Sequence, residues 1–582
     1  MPVMSKLTWC FVITLALYWL GGAHFFMHNP GGSGLSLPYN MVGWMFISLL
    51  ICFGLWQVTQ EQKIRISRSN TLLWLGALLL VIPIFFTQPK WMDLALPRLF
   101  GLVAGVIFYF ALLQFRFSGP QRIGLLYLLL GAVLIEAFFA LVQYYLLTPG
   151  NWIGFDTTLK RPYGIFQQVN VLATFLATGL GLALYLLRLD EKLQLTNWRG
   201  IMVLVTLATS SLLILVIASR VGHLSALAVF VLVWPQIWKR SPRYALIALL
   251  MMVVGLAAAY VSMHYAGGGR DLAAYQSRGY RLLYWSTALD MIKQKPWLGW
   301  GYGSFEYNFV HFFYAPGHWQ PGMIKMEQNL DHPHNETLFW GVEGGVIALL
   351  GIAIFIGAFV YSLVRLSGGK RWAILALALP ILFHTQTEYP LYHSVLHWMV
   401  LLFIFWFADE EVQGHGISDI TFHYWLFFRT FAVAIPLATI VYMGTGLQAG
   451  WLITQYERTQ MSQPELLDKV INPLPWLTRF QFNVMTFRLI VALKTNNIEE
   501  MHAYLDWATL FNSATPRANV YNNVILLLKQ LGEKAKADAL LQEARRLYPE
   551  DPFFYPELRQ QPVNGQVSAA KPVSMSVSSG QR

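Results

Sequence analysis

The sequence predicts an all-α, polytopic membrane protein, and three observations carry that expectation. Apolar runs of about 20 residues recur along most of the chain, the length a helix needs to cross the hydrocarbon core. Of the 582 residues, 56% are hydrophobic and only 12% are charged, and the mean hydropathy is +0.46. That composition leaves too few polar groups to cover a water-soluble domain of this size. Finally, basic residues concentrate in alternate loops, the pattern that fixes orientation in a membrane.

The first apolar run, residues 7–26, has no small-residue cleavage pattern, so it is read as a retained span and not as a removed signal peptide. Further spans are expected near 39–58, 71–87, 94–115, 123–147, 165–187, 200–218, 222–237, 244–264, 337–363, 372–387, 393–408 and 427–446, about thirteen in all. Lys63, Arg65 and Arg68 follow span two, and Arg116 and Arg122 follow span four. Arg188, Lys192 and Arg199, then Lys239, Arg240 and Arg243, then Arg365, Lys370 and Arg371 follow spans six, eight and ten. The positive-inside rule makes that side cytoplasmic and puts the N-terminus there as well. The net charge of +11 therefore sets orientation and implies no nucleic-acid partner. Cys10 and Cys52 are the only cysteines and fall inside spans, which excludes a disulfide framework or a cysteine metal site.

Five segments follow: spans one to nine (1–264), a large outer loop (265–336), spans ten to thirteen (337–446), a charged helical region (450–560) and a polar tail (561–582). In the fourth, "NVYNNVILLLKQLGEKAKADALLQEARRLYPEDP" (519–552) has helical apolar spacing, a turn glycine and a closing proline, which resembles one tetratricopeptide-type helix pair. The tail is small and polar and is expected to be disordered.

Topology sorts the unusual polar residues by side. Arg220 in "VIASRVGHLSAL", Arg270, Arg278, Arg281, His311, His318, His332 and His334 in the loop, Glu388 in "HTQTEYPLYH", and Arg161, Gln167 and Asn170 in "RPYGIFQQVNVLATFLA" all fall outside. Arginines with a histidine and a carboxylate at the bilayer edge suit a phosphate-bearing lipid, because guanidinium matches phosphate oxygens in a planar fork and neutral histidine accepts a proton near pH 7. Plainer readings stand beside this one. Arg220 is also placed to snorkel to headgroups. His332 and His334 with Asp331 and Glu336 offer metal ligands, in no standard zinc spacing. The stretch "LDHPHNETLFWGVEGGV" (330–346) is also a reasonable polar helix start. "GWGYG" (299–303) lacks the flanking strand and helix of a nucleotide loop.

Two further patterns carry a resemblance. "YRLLYWSTALDMIKQKPWLGWGYGSFE" (280–306), followed by His334, Asn335 and Gly345, resembles the O-antigen ligase and polymerase superfamily, as does "SRVG" after span seven. "RPYGIFQQVN", with Val169 where the branch usually has proline, and "TEYPLYH" resemble its protein O-oligosaccharyltransferase branch, the pilin-glycosylation ligases. The resemblance spans most of residues 160–550.

It implies en bloc transfer of a glycan from undecaprenyl diphosphate to Ser or Thr hydroxyls of exported proteins such as pilin. It further implies an inner-membrane enzyme whose site faces the periplasm, with neither metal nor other cofactor. His334 is then the expected base, and Arg220 and Arg281 the diphosphate ligands, with Arg278 their substitute. Arg161, Gln167, Asn170, Asn335 and Glu388 are expected to bind substrate. Either Asp331 or Glu388 is placed to orient His334. The rivals are an O-antigen ligase acting on lipid A-core, an O-antigen polymerase and, from another class, a lipid or sugar transporter; the last should show internal repeats, which the sequence lacks.

Overall fold

The computed structural model describes residues 5–29, 31–266, 280–320, 322–412, 417–421 and 423–555. Arg270, Arg278 and the tail 561–582 lie outside the described residues. The first nine long helices follow the expected spans: α1 (Lys6–Leu20), α2 (Pro38–Glu61), α3 (Arg68–Val81), α4 (Met92–Leu113), α5 (Gly119–Tyr145), α6 (Val169–Leu189), α7 (Trp198–Ile217), α8 (Arg220–Arg240) and α9 (Pro242–Ala266). Their starts are chemically marked. Ser5, Ser67, Asn197 and Ser219 each accept a backbone N–H of the first turn, and Ser118 with Gln121 forms a capping box, which satisfies donors a helix N-terminus leaves unpaired.

The outer loop supplies α10 (Arg281–Gln294) and α11 (Phe305–Phe313). Then come α12 (Glu336–Arg365), α13 (Gly369–Thr385), α14 (Val395–Glu410) and the 34-residue α15 (Trp425–Arg458), which runs on well past residue 446. Eleven helices among the described residues are long and apolar enough to cross a membrane. The remaining two expected spans are α13 and α14, of 17 and 16 residues. At 1.5 Å per residue they measure only about 24–26 Å, yet they join both ends of the bundle. At one end Lys370 pairs with Glu411, and Asp409 accepts from Ser69 and Tyr109. At the other end Glu388 meets the outer loop.

A two-stranded antiparallel sheet confirms which loops share an end. β1 (Lys63–Ser67) follows α2 and pairs with β2 (Ile417–Thr421), which precedes α15. The β1 loop is one of the basic loops. There Arg65 and Arg122 meet Glu410 and Glu411, and Arg116 meets Asp419. The main core fills the bundle, and α6 is buried from Val171 to Leu187, as a helix apolar on all faces should be.

A second core lies at the other end. The described C-terminal region holds α16 (Leu477–Thr495), α17 (Ile498–Asn512), α18 (Ala518–Gln530) and α19 (Lys534–Leu547). Their apolar faces bury Met485, Tyr504, Phe511 and Val524 together with Tyr284, Met291, Phe305 and Phe309 of the outer loop. Arg517 pairs with Glu306 across that seam, and Trp91 donates to the Ser513 carbonyl at 3.1 Å.

Candidate active site

The helix that follows His334 is broken on purpose. Gly345 sits at φ 62°, ψ −159° inside α12, a left-handed conformation that glycine adopts at little cost. The break strands backbone groups at Val342, Glu343, Val346 and Ile347, and unsatisfied groups at membrane depth cost several kcal/mol each. The segment 296–301 takes them up. Trp300 and Gly301 donate to the carbonyls of Val342 and Glu343 at 2.9 Å each, and Val346 and Ile347 donate to the carbonyls of Pro296 and Trp297. At Gly299 (φ 65°) a β-carbon would lie 2.5 Å from the Val342 oxygen. "PWLGWG" is thus a backbone brace that fixes the first turns of α12 and the residues just before them.

Those residues carry the cluster. His334 itself has φ 52°, a strained setting for a histidine that surrounding contacts must enforce. Asn335 caps α12, accepting from the Leu338 N–H at 2.9 Å, and donates to the Gln386 carbonyl at 3.2 Å. His334 Nδ1 lies 2.8 Å from Glu388 Oε2 and His332 Nε2 lies 3.1 Å from the same oxygen. Arg281 donates to Glu388 Oε1 at 2.7 Å. Asp331 is turned to His332 Nδ1 at 2.7 Å and receives the Tyr389 hydroxyl at 3.2 Å. Glu388, not Asp331, is therefore the carboxylate that orients His334. Nε2 of His334 faces Glu327 at 3.6 Å, and Tyr284 lies parallel to the imidazole with centroids 6.1 Å apart.

The charges are mutually tuned. Burial pulls the His334 pKa down, but hydrogen bonds with Glu327 and Glu388 outweigh it and raise it from 6.5 to about 9. Burial pushes Glu388 up, but its hydrogen bonds with His332 and His334 hold it well below 4.5. The hydrogen bond with His334 likewise lowers Glu327. With no substrate, His334 is an imidazolium held between two carboxylates at neutral pH.

The remaining candidates join through α6. Ser219 donates to Asn170 Oδ1 at 2.7 Å, immediately before Arg220 opens α8. Thr174 donates to the Asn170 carbonyl and lies 2.9 Å from His384 Nδ1 on α13, whose carbonyl accepts the Glu388 N–H. This run of hydrogen bonds links the start of α8, where Arg220 follows Ser219, to Glu388. Arg161 donates through Nε to the Ile217 carbonyl at the end of α7 at 2.7 Å. His393 and His397 bond the carbonyls of Phe166 and Val171. "TEYPLYH" and "GIFQQVN" are thus two sides of one packed unit. Sequence reasoning passed over Glu327, which sits in no motif, over Tyr284, inside the 280–306 stretch but not singled out there, and over the buried His384.

Three models of known families match the chain. The O-antigen ligase family model matches residues 202–356, the C-terminal model of virulence factor membrane-bound polymerases matches 372–562, and the protein glycosylation ligase model matches 162–187. The chain belongs to the O-antigen ligase superfamily. The three matches divide the site: Arg220, Arg281 and His334 fall in the first, Glu388 in the second, and Gln167 and Asn170 in the third. None of the curated proteins compared matches the chain.

His332, His334 and Glu388 also bring one ligand atom each within 4.8 Å of one another, a geometry open to a metal ion. Arg281 already sets a permanent cation on Glu388, and like charge at such range disfavours a second cation.

Proposed function

We propose that this superfamily member transfers a preassembled glycan from a polyprenyl diphosphate to a hydroxyl group of an exported protein, at the face that in bacteria is periplasmic. The observation that carries the reading is the linked triad Arg281–Glu388–His334, with Ser219, the residue before Arg220, tied to it through Asn170, Thr174 and His384. An apolar cavity of 260 Å³ supports a lipid-borne donor. It is lined by Trp44, Leu102, Phe355 and Phe405 and reaches Thr337 and Gln386 beside the triad, and such a shape suits a hydrocarbon chain.

The chemistry follows from the contacts. The acceptor hydroxyl displaces Glu327 from His334 Nε2, which removes one of the partners that hold the imidazole protonated, and the Nε2 proton passes to bulk water, leaving the neutral ring. Glu388 keeps the Nδ1 proton in place, so Nε2 presents its lone pair. Nε2 takes the hydroxyl proton as the oxygen bonds the anomeric carbon. The bond from that carbon to the diphosphate breaks, and its electron pair leaves with the diphosphate. Arg220 and Arg281 meet the added negative charge, the role a metal ion has elsewhere. A single displacement inverts the anomeric configuration.

The glycosylation-ligase match favours a protein acceptor. The polymerase match favours a second reading, in which the acceptor hydroxyl belongs to another lipid-linked glycan. The test uses purified full-length protein in lipid nanodiscs with a polyprenyl diphosphate-linked oligosaccharide and either a Ser/Thr-containing exported protein or a second lipid-linked glycan. The expected result is glycosylated protein, lost in His334→Ala with folding retained. Elongated lipid-linked glycan with no protein product would transfer the assignment to polymerase, and near wild-type activity in His334→Ala would end the base role.

A further inference from the structure

A second cavity, separate from the triad, lies at the same end of the bundle between the α1–α2 and α5–α6 loops. It encloses 300 Å³ and is lined by Phe26, Asn29, Gly31, Ile153, Tyr163 and Gln167 among others. That is the lower end of the range for small-molecule sites, about 300–1,000 Å³. No charged side chain lines it among the described residues. Its polar equipment is two amides, one phenol and backbone groups around glycines; its apolar equipment is Phe26, met edge-on by Trp152 with centroids 5.5 Å apart, and Tyr163, packed on Phe155. Neutral planar donors and acceptors beside aromatic faces suit an uncharged ring that carries hydroxyls. They do not suit a diphosphate, which calls for arginine.

The walls are fixed in advance. Gln143 accepts the N–H groups of Tyr163 and Gly164 at 3.0 and 2.8 Å, and donates to the Gly164 carbonyl. Glu136, buried and paired with His24 at 2.5 Å, accepts the Ile165 N–H at 3.1 Å. Asn29 closes its own turn onto Gly31 at 2.8 Å. Gln167, held at φ 56°, makes no side-chain hydrogen bond among the described residues and faces Gly31 across the cleft, where a β-carbon would come to 4.0 Å from its Oε1. A polar side chain with open hydrogen-bonding capacity in a rigid, uncharged cleft is a binding element.

The position is also telling. Three residues beyond Gln167, Asn170 holds Ser219 next to Arg220. Three residues beyond Gly31, Gly34 lies against the ring of Tyr392, four residues past Glu388, where a β-carbon would come to 2.7 Å. The cleft is thus flanked by both halves of the site that would grip the diphosphate.

We propose that this cleft is the glycan subsite: it takes a neutral sugar ring of the donor close to its diphosphate, with Gln167 and Tyr163 as hydrogen-bonding residues. The proposal rests on the transferase reading and names where its donor's sugar lies.

Binding is measured on the purified full chain in nanodiscs, with polyprenyl diphosphate carrying a neutral trisaccharide and with the same carrier lacking glycan. Tyr163→Phe and Gln167→Leu remove hydrogen-bonding groups and nearly conserve volume. The wild type should bind the glycosylated carrier roughly tenfold more tightly, and each variant should lose most of that preference while holding the bare carrier as before, a change on the scale of one hydrogen bond. A preference retained in both variants, equal binding of the two carriers by the wild type, or equal loss for both carriers in the variants overturns the subsite. Failure to bind either carrier removes the transferase reading itself, a result distinct from loss of preference.

Discussion

Glu388→Gln separates orientation from charge at the triad. The carboxylate spends Oε2 on His334 and His332 at 2.8 and 3.1 Å and Oε1 on Arg281 at 2.7 Å. Glutamine fills the same space but has one oxygen and one NH2, so either Arg281 or the histidine pair must face a donor. One charge-assisted hydrogen bond, about 1.5–3 kcal/mol, is lost in either arrangement. If the bond is needed in the transition state, the limiting rate falls roughly 10- to 100-fold. The pH profile moves as well. Transfer needs neutral His334, so the rate climbs with pH through a pKa now raised to about 9. Removing a partner that raises it shifts that limb to lower pH, towards the ordinary 6.5. The stability linkage has a matching sign: a raised histidine pKa contributes stability that is complete below 6.5 and is lost as pH rises through about 9, and Glu388→Gln should flatten that loss. The assay is initial transfer rate in nanodiscs from about pH 6 to about pH 10, with melting temperature followed over the same range. An unchanged plateau rate would remove Glu388 as the orienting group, and an unmoved limb would show that His334 is not the titrating base.

Three further outcomes follow from the same contacts. Glu327→Gln removes the partner of Nε2 without touching Nδ1, so it should also shift the limb to lower pH but leave the plateau within about threefold; a plateau loss as large as that of Glu388→Gln would make Glu327 part of the reaction. Arg220→Lys keeps the charge and loses the planar fork, so bare polyprenyl diphosphate should bind roughly tenfold more weakly, and unchanged affinity would return Arg220 to a headgroup anchor. Treatment with a chelator should leave transfer unchanged; loss with recovery on added divalent ion would reassign His332, His334 and Glu388 as metal ligands.

The helices were legible because two strong signals coincide in a membrane chain: apolar length and the sidedness of basic loops. What escaped depends on partners distant in sequence. The reduced length of α13 and α14 shows only against the contacts that tie Asp409 and Glu388 to opposite ends. The break at Gly345 is real because 296–301 supply its missing bonds; along the chain, Gly344-Gly345 reads only as a family pattern. His334 and Glu388 were each legible, but their pairing was open between Asp331 and Glu388. The sequence does not choose between them; in the structure Asp331 is spent on His332, and His334 Nδ1 meets Glu388. Asn335, expected at the substrate, spends its side chain on capping and on Gln386.

On the proposed function, the C-terminal helices would bear on how the acceptor is chosen. They share one core with the outer loop, and the strand of chain that carries Glu327 is pinned from both sides. Tyr284 accepts the Glu327 N–H at 2.8 Å, while Lys325 and Gln328 reach Glu550 and Asp551 beyond α19. The group that covers His334 Nε2 is therefore held in part by the C-terminal region. Removing the chain beyond residue 455 would expose Tyr284, Phe305 and Phe309 before it tested any acceptor surface, so truncation reports first on folding. On the proposed mechanism, the carboxylate that an acceptor hydroxyl would displace thus sits on a segment fastened to Glu550 and Asp551, just beyond α19. On the proposed function, an acceptor that rested on the helical region would be coupled to His334 through one short segment.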